Sequence, residues 1–448
     1  MPTPSLILVP ARFKTGKLYT PVATTSGGVV LGASGDFNVT RATTATRVNA
    51  SGLIEVVASG IPRLDYPLGG GCPALLIEPS GTNGILNSEN TATNWALGLN
   101  LSSGYVDVIG VSGNNLTVAV SGSNIGSSAG RLSRSNNNVA LASGSTYTIS
   151  FLIKKTGTHT IGGYYAVITG AASGNLGGGF DISGSFSSGS LFAYTGVTSR
   201  IRRIELWGTD VYRCSETFTM TGSGTLTNFH LAPLSGVTSQ LNPAVGLGIA
   251  FAAPQIELGS VPTTFIPTTT GSVTRNADVV TLSGAVSGCI GQTEGTIYAE
   301  FRYLGNPITR AGFVFLRQTG FRGLSINFAP SDTPSGMVFI SRNNSGTTSI
   351  QLTNGLTLGA YYKIAIAYDA GGTAAGGTQA SGVTAYVNGS PATVSVGSLR
   401  VPDANLNEFR LYGANSGDEN EVPNGNLRAA ALYTTRLTNA ELAALTTL

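Results

Sequence analysis

The stretch TYTISFLI, residues 146–153, alternates apolar side chains with hydroxyl-bearing ones. Successive side chains of a β-strand point to opposite faces, so a period of two predicts a half-buried antiparallel strand. The stretch GTIYAEFRY, residues 295–303, alternates in the same way. In the first strand Tyr147, Ile149, Phe151 and Ile153 form the apolar face, opposite Thr146, Thr148 and Ser150. The pattern predicts an all-β protein.

The composition agrees with this prediction. Charged residues make up 10% of the 448-residue chain, against roughly 25% in an ordinary globular protein. The chain also has 61 glycines, and a sequence rich in Gly, Ser, Thr and Asn favours many short strands over helices. Because 41% of the residues are hydrophobic, the low charge does not indicate disorder.

The sequence argues against several classes of protein. The net charge of +3 is scattered along the chain, which argues against a nucleic-acid partner. No apolar run approaches the roughly 18 residues of a membrane span, and Pro4 and Pro10 interrupt any signal peptide. Cys72, Cys214 and Cys289 lie far apart and form no metal-binding or disulfide pattern. We therefore expect a soluble protein made in a reducing cytoplasm, with no cofactor and no membrane insertion.

The texture of the sequence divides the chain into three regions. Residues 1–90 are broken by prolines and carry only short apolar runs, which predicts a docking segment that lacks its own core. Residues 91–270 and residues 271–448 each contain a series of alternating strands, which predicts two antiparallel β-sandwich domains. Pro262 and Pro267 mark the linker between them.

LTNAELAAL, residues 437–445, is the best helix signal in the chain. Thr438 and Glu441 have the spacing of a capping box, and Leu437 and Leu442 have the spacing of a hydrophobic staple. One short C-terminal helix is predicted to pack onto the last sandwich.

Three segments resemble parts of a known class of proteins. TRATTATRVNASGLIEVV (40–57), with PRLDY and CPALLIEPSGTNGILNSENTATNW after it, resembles a segment near the N-termini of tailed-bacteriophage virion proteins, especially tail fibres and receptor-binding proteins. QIELGSVPTTFIPTTTGSVTRNADVV (255–280) resembles the exit of their central jelly-roll module. The order of YYKIAIAYD, VTAYVNG and ALYTTRLTNAELAAL is similar to that in concanavalin A/laminin-G-type sandwiches. Together these segments cover nearly the whole chain.

The resemblance implies a carbohydrate-binding-module-like jelly roll at 91–270 and a concanavalin A/laminin-G-like sandwich at 271–448. It implies a non-enzymatic virion structural protein, a fibre or receptor-binding component, assembled in the bacterial host cytoplasm. Such proteins are commonly trimeric, so the implied partners are two sister subunits, other virion proteins and host-surface glycans. The resemblance does not distinguish tail from head, so a capsid decoration protein or head fibre with weak carbohydrate adhesion is an alternative. A polysaccharide depolymerase is another.

Catalytic motifs are sparse. His159 and His230 have no nucleophile partner of the GxSxG kind and are expected to be structural. No HExxH or EF-hand motif is present, so no metal site is predicted. Glycoside hydrolysis needs two carboxylates about 5 to 10 Å apart, and the E-x-D-x-x-E strand of concanavalin A-like hydrolases is absent. No enzymatic activity is predicted, but the sequence leaves open whether carboxylates from separate strands meet.

Glycan binding needs only exposed aromatic faces beside amide or guanidinium groups. The candidates are Trp207, Tyr164 and Tyr165 in the middle module and Arg342, Asn343 and Asn344 in the last one. Two alternatives stay open at this point. Trp207 alternates with Ile204 and Leu206 in a way that also fits a core residue, and SRNNSG around Arg342 also fits a simple turn.

Arg41 and Arg47 are six residues apart and would share one face of an extended strand. There they are predicted to pair with acidic groups of a sister subunit or another virion protein, which would make residues 1–90 an attachment and oligomerisation segment. The alternative is that this segment packs against the middle sandwich of its own chain. VTRATTAT (39–46) is echoed by VTRNADVV (273–280), and each stretch precedes a β module.

Overall fold

The computed structural model of the protein describes residues 2–19, 22–23, 36–89, 95–98, 101–105, 116–120, 131–208, 210–239, 246–283, 285–305, 311–318, 322–329, 336–354, 356–369, 382–392, 399–400, 405–413 and 424–447. The strands before residue 84 are β1 (Leu6–Leu8), β2 (Phe13–Lys14), β3 (Lys17–Leu18), β4 (Val22–Ala23), β5 (Phe37–Thr40), β6 (Ala45–Val48), β7 (Ile54–Val57), β8 (Arg63–Asp65), β9 (Ala74–Ile77) and β10 (Gly81–Asn83).

The next strands belong to the middle of the chain: β11 (Ala96–Leu97), β12 (Leu101–Tyr105), β13 (Leu116–Val120), β14 (Leu132–Arg134), β15 (Val139–Leu141), β16 (Thr146–Lys155), β17 (Ile161–Thr169), β18 (Gly174–Asp181), β19 (Ser188–Ser190), β20 (Val197–Gly208), β21 (Val211–Met220), β22 (Gly224–Pro233) and β23 (Gly248–Leu258).

The last elements are β24 (Val273–Arg275), β25 (Val279–Ser283), a 3₁₀ turn (Ala285–Cys289), β26 (Glu294–Gly305), β27 (Ala311–Arg317), β28 (Gly323–Ala329), β29 (Gly336–Asn343), β30 (Gly346–Asn354), β31 (Tyr361–Asp369), β32 (Val383–Val387), β33 (Ser390–Pro391), β34 (Glu408–Gly413), β35 (Asn424–Tyr433) and helix α1 (Asn439–Thr446). All strand pairs of the sheets are antiparallel, so the predicted all-β fold with a short C-terminal helix is confirmed.

The middle sandwich consists of a seven-stranded sheet and a six-stranded sheet. Phe151 of β16 in the six-stranded sheet meets Tyr164 and Phe180 of the other sheet, with ring centroids 6.0 and 5.7 Å away. The four apolar residues of the 146–153 stretch are buried, as the alternation predicts. Thr148 and Ser150 on the opposite face are buried too, and both hydroxyls have partners: Thr148 Oγ1 donates to the carbonyl of Gly259 over 2.8 Å, and Ser150 Oγ accepts from Arg213 over 3.3 Å. This strand is therefore buried on both faces.

The second sandwich consists of two nine-stranded sheets, and the beginning of the chain contributes to both. In one sheet β1 pairs with β35, with Leu6 opposite Leu432. In the other sheet β5 pairs with β25, with Val39 opposite Val280. The shared core contains eight apolar residues from the beginning of the chain: Leu6, Leu8, Leu18, Phe37, Val39, Leu64, Leu75 and Ile77.

This arrangement corrects the expectation that residues 1–90 lack partners within the chain. Strands β1, β5 and β9 of this segment pair with strands of the C-terminal sandwich, while the β6–β7 hairpin packs Ile54 against the middle sandwich. We call residues 1–83 together with 273–447 the host sandwich.

The middle sandwich is inserted into the host sandwich at a short two-stranded ribbon. Strands β10 and β24 pair there, with Gly81 opposite Arg275 and Asn83 opposite Val273. The chain thus leaves and re-enters the host sandwich at neighbouring positions.

Helix α1 has the capping box that the sequence predicts. The backbone N–H of Thr438 donates to Glu441 Oε2 over 2.8 Å, and the backbone N–H of Glu441 donates to Thr438 Oγ1 over 3.3 Å. Leu437 and Leu442 are buried against Ala365 and other residues of the adjacent sheet. No helix in the described ranges is both long and apolar enough to cross a membrane.

A cluster of buried charges lies beside the ribbon, and we call Arg41, Arg63, Glu78, Arg275 and Asp278 the junction cluster. Arg63 is fully buried and binds Glu78 over 2.6 Å and also Asp278. Arg41 binds Asp278 over 2.8 Å, and Arg275 lies 3.0 Å from Glu78. Burial alone would raise the pKa of Glu78, but Arg275 and Arg63 outweigh it and hold this pKa at about 2. In this cluster each of the three arginines is therefore paired with at least one of the two carboxylates.

The junction cluster explains the echoed sequences and corrects the role expected of two arginines. Arg41 and Arg275 occupy corresponding positions in the two echoed stretches, and both contribute to this cluster. Arg41 is buried and pairs with Asp278 of its own chain. Arg47 pairs with Glu55 over 2.6 Å across the β6–β7 hairpin. Arg41 is therefore not available to a partner, while the role predicted for Arg47 in binding a partner stays a prediction.

Candidate functional site

A cleft of about 410 Å³ lies where the middle sandwich meets the host sandwich. We call it the junction cleft. Its described lining comes from three parts of the chain: Val48, Asp65, Tyr66, Pro67, Leu68, Ala74, Leu76 and Glu78; then Glu205, Leu206, Trp207 and Arg213; then Pro262, Thr264, Arg302, Leu304, Leu358, Gly359, Tyr361, Asn424 and Asn426.

The wall from the middle sandwich is the end of edge strand β20. The ladder between β20 and β21 shifts register between Leu206 and Gly208. Neighbouring residues of a regular strand point to opposite faces, and this bulge allows both Leu206 and Trp207 to line the cleft. Leu206 is 65% exposed, and the guanidinium of Arg213 lies 5.2 Å from the centre of the Trp207 ring. The rim is therefore apolar and aromatic.

The opposite wall carries Tyr361 and Arg302. The guanidinium of Arg428 lies 3.6 Å from the centre of the Tyr361 ring, and that of Arg302 lies 5.9 Å away. Arg302 Nε donates to the carbonyl of Gly359 over 2.9 Å. This bond fixes the position of the Arg302 side chain, which lines the cleft.

Asp65 brings a carboxyl group to the cleft. The backbone N–H of Val48 donates to Oδ1 over 2.8 Å, and Asn426 Nδ2 lies 3.4 Å from Oδ2. Burial raises the pKa of Asp65 to about 6, because its hydrogen bond to Val48 and the charge of Arg63 only partly compensate for lost hydration. Asp65 can therefore change its protonation state near neutral pH.

Two buried polar atoms of the lining have no hydrogen-bond partner in the described part of the chain: Trp207 Nε1 and Asn424 Oδ1. Asn424 is only 2% exposed, and its amide nitrogen donates to the carbonyl of Pro262 over 3.3 Å. Buried polar groups are normally paired, so an unpaired donor and acceptor beside one cleft point to a ligand or water that completes them.

Glu78 belongs to the floor of the cleft but is already occupied. It accepts hydrogen bonds from the backbone N–H and the hydroxyl of Thr264, over 2.7 and 2.6 Å, besides its ion pairs with Arg63 and Arg275. The junction cluster thus fixes the floor, and the groups left for a ligand are those of the walls. Those groups are amides, carboxyl groups and guanidinium groups next to aromatic rings, which suits a ligand rich in hydroxyls.

Among the residues singled out from the sequence, the structure brings only Trp207 to this cleft. It is half-buried and packs in part against the cluster of Ile54, Val211 and Phe265. Its neighbour Leu206 is exposed, so the apolar side chains in this part of β20 do not form one buried face. Trp207 is thus both a packing residue and part of the cleft wall.

The prediction that Tyr164 binds a glycan is corrected by the structure, since this residue has no exposed surface. It lies in the core, stacked on Phe229 with ring centroids 5.7 Å apart, and cannot contact a glycan. Tyr165 follows it and points to the outer face of the seven-stranded sheet, opposite to the sheet that holds Trp207. There it stacks on His230 at 4.9 Å and lies under the guanidinium of Arg131.

The two histidines have structural contacts. His230 is buried, and its Nδ1 lies 2.8 Å from Ser133 Oγ. Burial and the nearby charge of Arg131 lower the pKa of His230 to about 3. His159 Nε2 lies 2.7 Å from the carbonyl of Ile161, and burial lowers its pKa as well.

Arg342, Asn343 and Asn344 lie at the β29–β30 turn of the host sandwich and do not line the cleft. Asn343 Oδ1 accepts the backbone N–H of Ser345 over 3.0 Å. Arg342 Nε donates to Thr347 Oγ1 over 2.9 Å. These contacts match the turn interpretation of SRNNSG.

Sequence reasoning missed Asp65, Arg302, Tyr361 and Asn424. Asp65 lies in the quoted PRLDY segment, and Tyr361 lies in the quoted YYKIAIAYD strand, but neither segment indicates a site by its spacing. Within the described residues no group of three or more His, Cys, Asp or Glu side chains is arranged to hold a metal ion.

The C-terminal part of the chain has a recognisable family. Residues 274–443 match the family model described as the concanavalin A-like lectin/glucanases superfamily. These residues therefore form a concanavalin A-like domain, to which the structure adds the strands from the beginning of the chain. No curated protein matches the sequence.

Solved structures with similar folds have low sequence identity. Domain 4 of the arabinanase AbnA of Geobacillus stearothermophilus, in complex with arabinotriose, is 14% identical, with 40% of this chain and 77% of that chain covered and a TM-score of 0.29. The leech intramolecular trans-sialidase is 15% identical, with 35% of this chain and 24% of that chain covered and a TM-score of 0.26. Mouse laminin α1 domains LG4-5 are 10% identical, with 70% and 90% covered and a TM-score of 0.22.

Proposed function

We propose that this protein is a non-enzymatic, glycan-binding component of a tailed-phage virion and that the junction cleft is its carbohydrate site. The observation that carries the binding function is that two residues lining one cleft, Asn424 and Trp207, each have a buried polar atom without a hydrogen-bond partner among the described residues. The resemblance of the 40–57 segment and its continuation supports the virion role. The proposed partners are host-surface glycans, other virion proteins and two sister subunits in a homotrimer.

The chemistry of the cleft supports a sugar over other small ligands. A pyranose presents C–H groups on its faces and hydroxyls on its edges. The apolar rim at Leu206 and Trp207 would meet the former, while Asp65, Arg302 and Asn424 would meet the latter. Since each contact is modest, affinity per site should be weak, and a trimer would gain avidity through effective concentration.

We expect the Trp207→Phe and Arg302→Ala variants each to lose about tenfold in affinity for a bound surface polysaccharide. Phenylalanine keeps an apolar ring at position 207 but removes the indole N–H, and alanine removes the guanidinium; each loss amounts to one or two hydrogen bonds. Biolayer interferometry on immobilised host polysaccharide measures the loss. Arg342→Ala is the control, because Arg342 lies at the β29–β30 turn. Equal loss in the control, or none in the cleft variants, would reject the cleft as the site.

Binding in the cleft is expected to strengthen from pH 5 to pH 7. With its pKa at about 6, Asp65 is mostly protonated at pH 5 and mostly ionised at pH 7. The ionised carboxylate accepts stronger hydrogen bonds from ligand hydroxyls. A ligand that binds only this form gains up to about tenfold in affinity across the range. The same interferometry, repeated across this pH range, checks it.

Asp65→Asn should remove this pH dependence, and a wild-type affinity that stays constant would show that Asp65 does not contact the ligand. The contribution of Asp65 to the free energy of unfolding changes with pH in the opposite direction. Because the pKa of Asp65 is raised in the folded state, its ionisation lowers the free energy of unfolding as pH rises from about 4 to 6. Weaker binding at low pH would therefore not be explained by Asp65 destabilising the fold there.

A polysaccharide depolymerase is a second candidate, favoured by one observation. Asp65 and Glu205 line the same cleft from different parts of the chain, and glycoside hydrolysis requires two carboxyl groups that flank the scissile bond. Incubation with host polysaccharide separates the two functions. New reducing ends that disappear in Asp65→Asn would establish the enzyme, and their absence would support binding alone.

The virion role is tested separately. Immunogold labelling of phage particles would locate the protein on the head or on the tail. Its absence from particles would reject the virion proposal and leave carbohydrate binding intact. Analytical ultracentrifugation of the purified chain tests the trimer.

A further inference from the structure

A second concave surface lies beside the β10–β24 ribbon and shares no lining residue with the junction cleft. We call it the asparagine groove. Its volume of about 640 Å³ lies within the range of small-molecule sites. The residues on which the argument rests are Thr82, Asn136, Asn138, Leu258, Thr270 and Ser272.

One wall is a loop that presents two free amides. Asn136 and Asn138 have φ angles of 62° and 51°, a left-handed backbone that asparagine adopts more readily than most residues. Asn137 between them is buried; its Oδ1 accepts the backbone N–H of Leu86 and its Nδ2 donates to the carbonyl of Arg134, each over 2.9 Å. The anchored Asn137 thus holds the side chains of its two neighbours at the surface.

Neither Asn136 nor Asn138 makes a side-chain hydrogen bond to any described residue, and both are exposed. Strained backbone is kept where the surrounding structure imposes it, and such positions cluster at binding sites. Two left-handed asparagines on either side of a buried anchor therefore indicate a loop shaped to present amides.

The opposite wall is uncharged as well. It offers the exposed hydroxyls of Thr270 and Ser272 and the side chain of Leu258, which is 54% exposed, while the exposed hydroxyl of Thr82 is paired with that of Thr274 over 2.8 Å. Glu257 also lines the groove, but it is buried and accepts hydrogen bonds from the N–H and hydroxyl of Thr263, over 2.8 and 2.6 Å. No Lys or Arg belongs to the described lining.

We propose that the asparagine groove is a second binding site, for a neutral oligosaccharide, separate from the junction cleft. Amides and hydroxyls pair with sugar hydroxyls, and Leu258 meets the apolar face of a sugar ring. The missing positive charge disfavours nucleic acids and acidic glycans. This proposal takes one premise from the proposed function, namely that the ligand is a carbohydrate.

The test uses the full chain and neutral hexasaccharides of glucose, galactose and mannose, with a galacturonate hexamer as the acidic comparison. The variant is the double substitution Asn136→Gly and Asn138→Gly, because glycine keeps the left-handed backbone while the amides are removed. Ser199→Gly is the matched control: Ser199 is exposed, has a φ of 52° and lines neither site. Calorimetry measures affinity for each probe.

The double variant should lose about tenfold in affinity for at least one neutral hexasaccharide, the effect of two lost hydrogen bonds, while Ser199→Gly binds as the wild type does. Wild-type affinity of the double variant for every neutral probe, or tighter binding of the galacturonate hexamer at this groove, would overturn the proposal. So would failure of every neutral probe to bind the wild type.

Arg302→Ala in the same series separates the two sites. Loss in Arg302→Ala alone would reject the groove and keep the cleft. Loss in the groove variant alone would reject the cleft as the site and keep the groove. Loss in both would support two sites.

Discussion

The Asp278→Asn variant should lose about 3–5 kcal/mol of its free energy of unfolding, which is a large share of the total stability of a domain. Asp278 is buried and binds Arg41 and Arg63, and the backbone N–H of Glu78 donates to its Oδ2 over 3.1 Å. Asparagine has the same shape but no charge. The substitution leaves the three arginines of the junction cluster with Glu78 as their one remaining carboxylate within that cluster, in surroundings that hydrate them poorly.

Urea unfolding of the two proteins measures this loss. Glu55→Gln is the matched control, since it also removes one carboxylate charge bound to an arginine. The Arg47–Glu55 pair is partly exposed, with side-chain exposures of 15% and 35%, so its loss should cost less than about 1 kcal/mol. If Asp278→Asn and Glu55→Gln had equal free energies of unfolding, removing the charge of Asp278 would not leave a costly unpaired arginine in the junction cluster.

The sequence predicts those elements whose signals are local. The alternation of residues 146–153 identifies β16, and the spacing of Thr438 and Glu441 identifies the start of helix α1. In both cases the deciding side chains are a few residues apart, so periodicity and capping rules apply directly.

The host sandwich depends on pairings that no local signal contains. Strand β1 has only three residues, which is too short for periodicity to be recognised. It pairs with β35, more than 400 positions later in the chain. Arg41 illustrates the same point. Arginine is seldom fully buried, so the sequence alone predicts an exposed side chain that pairs with another protein. Only the position of Asp278 beside it makes its burial favourable.

The candidate site is partly predictable for a related reason. Trp207 could be selected because exposed aromatic residues are few and tryptophan has a known role in sugar binding. Asp65, Arg302 and Asn424 come from three distant segments and gain meaning only when one sheet of the host sandwich brings these segments together. Tyr164 and Tyr165 show the converse, since two adjacent tyrosines on a strand point to opposite faces and only one can reach solvent.

A pair of deletions should have opposite outcomes for the host sandwich. Removing residues 1–83 takes eight buried apolar side chains from its core, a loss on the order of 10–20 kcal/mol that exceeds the 5–15 kcal/mol stability of a typical domain. We therefore expect residues 273–448 to unfold in this variant, while the middle sandwich keeps its separate core. This deletion cannot report on virion attachment, because it removes the fold as well.

Excising residues 84–272 should leave the host sandwich folded. Asn83 and Val273 are paired across the β10–β24 ribbon, so an Asn-Gly turn would join them as an ordinary hairpin. Calorimetry and limited proteolysis of both variants give the comparison: the excised chain should keep one cooperative transition, and the truncated chain should retain only the protease-resistant middle sandwich. A folded C-terminal sandwich without residues 1–83, or an unfolded excised chain, would contradict the inserted arrangement. If both expectations hold, residues 1–83 are needed to complete the fold of the host sandwich, and the inserted middle sandwich is not.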